Sequence, residues 1–482
     1  MRREFPCTPL VVDLDGTLVL TDSLHEQLLT LAKEQFLYAF LLPAWLMRGK
    51  AYLKQQLARR VSLDASTLPY NSELLTWLQT EKLADRRLVL CTAADMQTAQ
   101  AIARHLGIFD EVIASDGQVN LSAARKADRL MQQFGRQGFD YVGNSRDDLP
   151  VWEVARQAIV VNAPAAVLKA AQEHGNVGEI IPALTLKTRD FARMLRVHQW
   201  LKNLLLFVPL LAAHRFTNGA DWVTLLIAFF SFSLCASAVY IGNDLLDLGS
   251  DRQHPRKRMR PFASGRVPVV WGVAIAPLLI VASGVLGLTV GPRFLAWLMV
   301  YFALTCWYSV ILKRLALLDC LTLACLYTLR IVAGGAATGL VLSNWLLTTS
   351  GFVFLSLSFL KRHAELRLLV QRDETAAAHG RGYVAQDAAL VQMLGIAAGY
   401  ASAVVLSLYL HGDTAQILYT QPHAIVVTVG VLVYWISWMW LQSHRGEMHD
   451  DPVVFAVKDR VSLACGAAFA ASFAVATVGW PW

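Results

Sequence analysis

Charge is scarce in this sequence: Asp, Glu, Lys and Arg make up 16% of 482 residues, while 55% are hydrophobic. With a mean hydropathy of +0.42, that balance excludes an ordinary soluble enzyme. The seven cysteines show no paired spacing, and Cys235, Cys306, Cys320, Cys325 and Cys465 lie in or beside apolar stretches. Neither a disulfide framework nor a zinc site is supported. No signal-peptide apolar core follows the opening MRREF, so the N-terminal part is expected to stay on the cytoplasmic side. The formal net charge is +7, yet the basic residues cluster between apolar runs. That is a pattern of membrane topology, and no nucleic-acid partner is expected.

What the chain has in abundance is apolar sequence after about residue 200. Runs recur at 201–213, 222–242, 268–290, 294–312, 315–339, 345–361, 388–411, 423–441 and 461–480. Most are long enough to cross a bilayer, and the first is the shortest. Sixteen Lys and Arg fall in the loops after the second, fourth, sixth and eighth runs, against only Arg215 and Arg293 in the others. This asymmetry predicts nine spans with the N-terminus inside and the C-terminus outside. Arg330 lies within the fifth run, where only a partner or a water-filled cavity makes a charge tolerable.

The polar stretch after the second run, NDLLDLGSDRQHPRKRMRP (243–261), concentrates chemistry. Asn243, Asp244, Asp247 and Asp251 are spaced to share a helix face. Carboxylates at the end of a membrane helix mark a functional site, and hard oxygen ligands suit Mg²⁺ bridging to substrate phosphates. Arg252, Arg256, Lys257, Arg258 and Arg260 follow and can hold phosphate directly. Other loops on the same predicted side carry Tyr308 with Lys313 and Arg314, then Lys361, Arg362, Glu365 and Arg367, and finally Asp451, Lys458, Asp459 and Arg460.

The first part of the chain has a different character. PLVVDLDGTL (9–18) reads as a short strand ending in Asp13 and Asp15, where open α/β sheets bind ligands. One carboxylate can act as nucleophile and the other as acid/base. RRLVLCTAAD (86–95) is a second strand and contains Thr92; Lys126 lies in a later polar segment. FDYVGNSRDDLP (139–150) ends in Asn144, Ser145, Asp147 and Asp148, and AIVVNAP (158–164) reads as another strand. Between Asp15 and Thr92 lies a segment of helical periodicity. Within it FLYAFLLPAWLM (36–47) has no charge, with Arg48, Lys50 and Lys54 following. Twelve residues do not span a bilayer. Two readings stand: a buried helix, or an interfacial segment lying on the membrane.

These motifs resemble the haloacid dehalogenase-like (HAD) phosphohydrolases over roughly residues 8–185. The resemblance implies Asp13 as nucleophile, Asp15 as acid/base, Thr92 and Lys126 as phosphate contacts, and a Mg²⁺ site of Asp13, Asp15, Asn144 and Asp148. It departs from the family at Gly143-Asn144, where Gly-Asp is usual, which removes one negative charge from the metal site. The expected domains are 1–190, an α/β Rossmann-like HAD fold with a helical cap at about 22–85, and 191–482, an all-α membrane domain of about nine helices.

The membrane part resembles the UbiA superfamily of intramembrane prenyltransferases. RVHQWLKNLLLFVPLLAA (196–213, with Lys202), the 243–261 stretch, LRIVAGGAATGLVLSNW (329–345), LKRHAEL (360–366) and DPVVFAVKDRVS (451–462) look like its decaprenyl-phosphate phosphoribosyltransferase branch. The second acidic motif of aromatic prenyltransferases is absent. The branch implies phosphoribosyl diphosphate as donor and a polyprenyl phosphate as acceptor, with Mg²⁺ held by Asp244, Asp247 and Asp251. Substrate contacts are expected at Lys202, Asn243, Arg252, Lys257, Arg258, Arg260, Tyr308, Lys313, Lys361, Arg362, Glu365, Lys458 and Arg460. The two halves then read as consecutive steps at a bacterial inner membrane, the HAD half removing the 5-phosphate of the lipid product. Two alternatives compete: prenylation of an aromatic or tetrapyrrole acceptor beside an accessory HAD domain, and a membrane-tethered phosphatase.

Overall fold

The computed structural model describes residues 8–183, 185–370, 382–410, 419–448 and 451–478. The chain divides into two compact units, Met1–Leu195 with Tyr240–Ala276, and Arg196–Val239 with Pro277–Trp482. The first unit therefore takes in the acidic-motif segment as well as the N-terminal domain.

In chain order the N-terminal domain runs β1 (Leu10–Val12), α1 (Ser23–Glu34), α2 (Phe36–Ala39), α3 (Leu42–Met47), α4 (Lys50–Ala58), α5 (Ser72–Leu83), β2 (Leu88–Asp95), α6 (Met96–Leu106), β3 (Glu111–Ser115), α7 (Ala124–Phe134), β4 (Asp140–Gly143), α8 (Leu149–Val154), β5 (Ala158–Val161), α9 (Ala165–Glu173) and β6 (Val177–Ile181). The six strands form one sheet in the order β3-β2-β1-β4-β5-β6, all parallel. Parallel strands are covered on both faces, which is why they read as unbroken apolar runs. Leu10, Val12, Leu90 and Val142 pack on one side, and Val11, Val89, Cys91 and Tyr141 on the other. The strand order reverses between β1 and β4, so the loops after those two strands flank the crevice where such Rossmann-like sheets bind ligands. Asp13 and Asp15 follow β1; Asn144 and Asp148 follow β4.

Helices α1–α5 form the insertion between β1 and β2. Asp22 caps α1 by accepting from the backbone of Leu24 and His25. Trp45 of α3 turns inward with Leu31, Leu53, Leu57 and Val61 to make a small separate core. Its neighbours do not: Phe36, Leu37, Phe40, Leu41, Leu46 and Met47 are exposed. The buried-helix reading of 36–47 thus holds for Trp45 and fails for most of the stretch.

The acidic-motif segment packs on the insertion within the first unit. Arg252 donates two hydrogen bonds to Glu26 of α1, at 3.0 and 2.6 Å, and both side chains are buried. Lys33 lies 3.6 Å from Asp247, and Arg266 lies 3.7 Å from Asp190. Gly265, with φ of +71°, fits where a Cβ would stand 2.7 Å from the Leu20 Cβ, so a side chain there meets both a strained backbone and a clash.

Seven helices are long and apolar enough to cross a membrane among the described residues: Gly219–Leu246, Val269–Val290, Pro292–Val310, Leu318–Thr338, Ala385–Leu410, Val426–Arg445 and Arg460–Thr477. The other two of the nine expected runs differ for clear reasons. The first becomes the short apolar segment Val197–Ala212, which is 3₁₀-helix over Val197–Phe207 and α-helix only over Val208–Ala212, so it does not form one long α-helix. The sixth lies in the 27-residue helix Asn344–Val370, whose apolar stretch is broken by Thr348, Thr349, Ser350, Ser356 and Ser358. The far ends of runs 388–411 and 461–480 lie outside the described residues.

Removing one partner of a buried ion pair strands the other charge and costs about 3–5 kcal/mol. Glu26→Ala should destabilise the first unit by that order, measured as equilibrium unfolding of the detergent-solubilised chain. Glu26→Leu combined with Arg252→Met should recover most of the loss. Equal losses in both variants would show that packing, not the orphaned guanidinium, sets the cost.

Candidate active sites

At the crevice of the N-terminal sheet, Lys126 of α7 is fully enclosed. It donates to Asp13 Oδ1 at 2.8 Å and to the Tyr141 hydroxyl at 2.8 Å, and stands 3.5 Å from Asp148 Oδ1. Asp148 is anchored by its loop: Oδ2 accepts from the backbone of Asn144 and Ser145 and from the Ser145 hydroxyl, each at 3.0 Å. Burial pushes Asp148 up, but Lys126 and these hydrogen bonds outweigh it and hold the carboxyl below its ordinary range. Burial likewise draws Lys126 down, and the carboxylates of Asp13 and Asp148 overcome it, so the ammonium is held charged.

Asp13 and Asp15 are set apart from Asp148. Burial pushes Asp13 up to about 6 despite Lys126, and Asp15 to about 7, with Asp22 adding to the rise. Asp15 accepts from the Ser23 backbone and hydroxyl at 2.8 and 3.1 Å, so the first residue of α1 fixes this carboxyl. Two neighbouring enclosed carboxyls, both held protonated more readily than in water, are groups that can serve as nucleophile and acid/base. Thr92 is fully buried, and its hydroxyl accepts from the Ala94 backbone at 3.0 Å.

Lys54 of α4, not foreseen as a site residue, reaches this region from the insertion. Its Nζ donates to the Ala93 carbonyl at 2.6 Å and to Asn120 at 3.2 Å. Burial lowers its affinity for a proton, against the pull of Asp15 and Asp22. The only sequence signal for it was a lysine about two turns beyond the uncharged stretch.

In the acidic-motif segment, Asp244 Oδ1 and Asp251 Oδ2 converge on one atom, Arg260 Nη1, at 3.1 and 2.5 Å. Two buried carboxylates aimed at one cationic point form a hard-oxygen pair that suits Mg²⁺. Asp247 faces Lys33 instead, and Arg252 is engaged on Glu26. Lys257 and Arg258 are exposed, and Asn243 lies near the end of Gly219–Leu246. Among the described residues no three His, Cys, Asp or Glu side chains close on a single metal position. In the N-terminal domain the four expected ligands, Asp13, Asp15, Asn144 and Asp148, lie in the loops after β1 and β4. Asn144 sits against Gly16, where a Cβ would lie 2.2 Å from its Nδ2.

The second unit has its own clusters. Asp451 Oδ2 takes Lys202 Nζ at 2.6 Å and Lys361 Nζ at 3.2 Å, and Lys202 also lies over the Tyr327 ring. Arg330 donates to Asn203 Oδ1 at 2.8 Å and to the Tyr301 hydroxyl at 3.0 Å, with the rings of Phe232, Tyr301 and Tyr327 around it. That enclosure makes a charge within an apolar helix tolerable. Arg362 is fully buried against Asp319 at 2.6 Å and also pairs with Glu365. Tyr383 donates to Asp319 at 2.7 Å. Arg362 and Glu365 were expected to meet substrate, and Arg362 is instead enclosed by protein. Asp319, an acid inside an apolar run, was the signal for this network. Tyr308 and Lys313 are half-buried, while Lys458 and Arg460 are exposed.

A helical membrane bundle with carboxylates at the end of a spanning helix defines an intramembrane transferase class. The model of the UbiA prenyltransferase family matches residues 204–473, and the chain belongs to that family, as an integral membrane protein. Protein y4nM of Sinorhizobium fredii is 39% identical over 475 residues, spanning 97% of this chain and 91% of its own length, so the likeness includes both halves. Nodulation protein NoeC of Azorhizobium caulinodans is 39% identical over 274 residues, 56% of this chain and 87% of that protein. Decaprenyl-phosphate phosphoribosyltransferase of Mycobacterium tuberculosis is 38% identical over 180 residues, 36% of this chain and 60% of that enzyme.

Between about pH 4 and 7 the folded protein keeps protons on Asp13 and Asp15 that the unfolded chain has released. Metal-free stability should therefore fall as pH rises through that window and level off above it. Thermal unfolding in EDTA should show a lower midpoint at pH 7.5 than at pH 5. Millimolar Mg²⁺ should raise the midpoint more at pH 7.5, where the carboxylates are ionised. A midpoint independent of pH would remove these two groups from the linkage.

Proposed function

We propose that the chain is a two-step membrane enzyme: its UbiA half transfers 5-phosphoribose from phosphoribosyl diphosphate to a polyprenyl phosphate, and its N-terminal half, a HAD-type phosphatase, removes the 5-phosphate of the product. The observation that carries the first step is a pair of neighbouring cations in the second unit: Lys202 and Lys361 both donate to Asp451 Oδ2, and paired ammonium groups suit phosphate. The 38% identity to a decaprenyl-phosphate phosphoribosyltransferase supports the same substrate class.

In the transfer step an oxygen of the lipid phosphate forms a bond to ribose C1 as the C1–diphosphate bond breaks. The acceptor is already anionic, so no general base is needed. Asp244, Asp247 and Asp251 would serve the donor diphosphate, and Lys202 and Lys361 are cations suited to a phosphate group. Mg²⁺, when bound by the acidic motif, would supply charge against the departing diphosphate.

In the second step Asp13 attacks the 5-phosphorus, and Asp15 gives its proton to the ribose O5 as that bond breaks. Water then attacks the aspartyl phosphate while Asp15 takes a proton back, and inorganic phosphate leaves. Lys126 holds Asp13 and offsets phosphate charge. Asp13, Asp15, Asn144 and Asp148 would hold a second Mg²⁺, which would offset the charge of the phosphate. The basic-loop bias supports placing this half on the cytoplasmic face of a bacterial inner membrane. A polyprenyl product cannot leave that membrane, since each CH₂ contributes roughly 0.8 kcal/mol of burial.

Mass spectrometry of lipids formed from phosphoribosyl diphosphate and a polyprenyl phosphate tests the reading. Product formed instead from a prenyl diphosphate and an aromatic or tetrapyrrole acceptor would replace it, and phosphate release without glycolipid from any donor would leave a tethered phosphatase. Asp244→Asn should abolish glycolipid formation while leaving hydrolysis of a small phosphate ester intact. Asp13→Asn should do the reverse, so that the lipid product accumulates with its 5-phosphate attached. Unchanged glycolipid yield in Asp244→Asn, or loss of the 5-phosphate in Asp13→Asn, would remove that residue from its step.

A further inference from the structure

Residues 8–195 expose eleven large apolar side chains among the described residues, and seven of them fall within 36–47. The other four, Leu83, Val119, Ile180 and Leu186, are scattered singly, which is ordinary for a protein surface. The seven are not. Helices α2 and α3 turn Trp45 and Leu42 into the cap's small core and direct the rest outward, with Leu37 at 79%, Phe40 at 70% and Met47 at 83% exposure. No charged side chain interrupts the stretch, and Arg48 and Lys50, both exposed, follow directly.

An apolar face edged by cations is the pattern of an element lying at the headgroup–acyl boundary of an anionic bilayer. The same chain carries seven membrane-crossing helices, so a bilayer is always within its reach. The face is also joined to the catalytic crevice. Helix α4 begins at Lys50, next to the apolar lobe, and one turn later Lys54 bonds the Ala93 carbonyl beside Thr92.

We propose that residues 36–47 form a membrane-resting face of the cap, which seats the catalytic crevice at the lipid–water interface and directs it to phosphate monoesters carried by a membrane lipid. The seat stands on exposure, charge and connectivity alone. Its consequence for substrate choice rests on the phosphatase reading above.

Two measurements on the full chain in phosphatidylglycerol-containing proteoliposomes separate these parts. A bimane label on a cysteine introduced at Met47 should be quenched by shallow nitroxide lipids and protected from iodide. A label at Leu83, an isolated exposed residue on α5, should behave oppositely, with labelled unsubstituted protein as the blank. Quenching of the Met47 label by iodide alone would overturn the seat. Protection from both quenchers would overturn it too, since protein would then cover the face.

Leu37→Glu with Met47→Glu should lower hydrolysis of lysophosphatidic acid in vesicles roughly tenfold by disfavouring interfacial docking, while leaving hydrolysis of p-nitrophenyl phosphate unchanged. Both side chains are exposed, so folding should survive, and equal loss on the two esters would overturn the link to substrate choice. A wild-type chain that hydrolyses neither ester would overturn the phosphatase reading, and the quenching result would still decide the seat.

Discussion

A guanidinium with almost no access to water needs a carboxylate beside it, and Arg252 has Glu26, 226 residues away in the chain. Enclosing either charge alone costs several kcal/mol, so the pair holds its two segments together. One is the short helix Leu248–Gln253, which carries Asp251. The other is α1, whose first residue, Ser23, grips Asp15 by backbone and hydroxyl. Acidic motif and phosphatase loop are thus fixed to neighbouring turns of one packed unit. This is why the segment Tyr240–Ala276 groups with the N-terminal domain although its sequence belongs to the UbiA family match.

The charge clusters are built in two ways. In the N-terminal crevice one lysine, Lys126, serves two carboxylates, Asp13 and Asp148. Burial raises the proton affinities of Asp13 and Asp15, and the neighbouring carboxylates Asp148 and Asp22 add to the rise. Around Asp451 two lysines, Lys202 and Lys361, meet at one carboxylate oxygen. Paired ammonium groups suit phosphate. A reaction joining a sugar diphosphate to a lipid phosphate needs cations to bring like charges together. A phosphatase that forms an aspartyl phosphate needs a carboxylate nucleophile that survives next to its substrate, and a single well-held lysine provides for that.

Chemistry written in adjacent residues was legible in the sequence. Asp13 and Asp15 flank one strand end, and Asp244 and Asp251 lie two turns apart. The apolar strands forecast a sheet covered on both faces. What escaped depended on distant partners. Arg252 sits among basic residues that resemble phosphate contacts, and only the folded chain brings Glu26 to it. Arg362 was legible as charged and functional, but its enclosure by Asp319 and Tyr383 was not. The stretch 36–47 hid its sidedness for another reason. Helices of four and six residues, separated at Phe40–Leu41, are too short to show a period, so inward Trp45 and outward Phe40 look alike.

Placing both steps in one polypeptide changes what limits the second. On the two-step reading proposed above, diffusion of a polyprenyl-linked intermediate would be confined to two dimensions, and joining both sites in one chain would raise its effective concentration at the second site. That gain is realised only if the crevice can meet a headgroup without extracting the tail. Trp45 bears on this directly. By filling the cap core with Leu31, Leu53 and Leu57, it gives α2 and α3 a rigid base from which their remaining apolar side chains face outward. Arg60 over the Trp45 and Tyr38 rings stiffens the base further. That apolar surface lies on the same helical insert that brings Lys54 to the crevice, so on the proposed seat the position of the cap on a bilayer would be coupled to the geometry of Asp13 and Asp15.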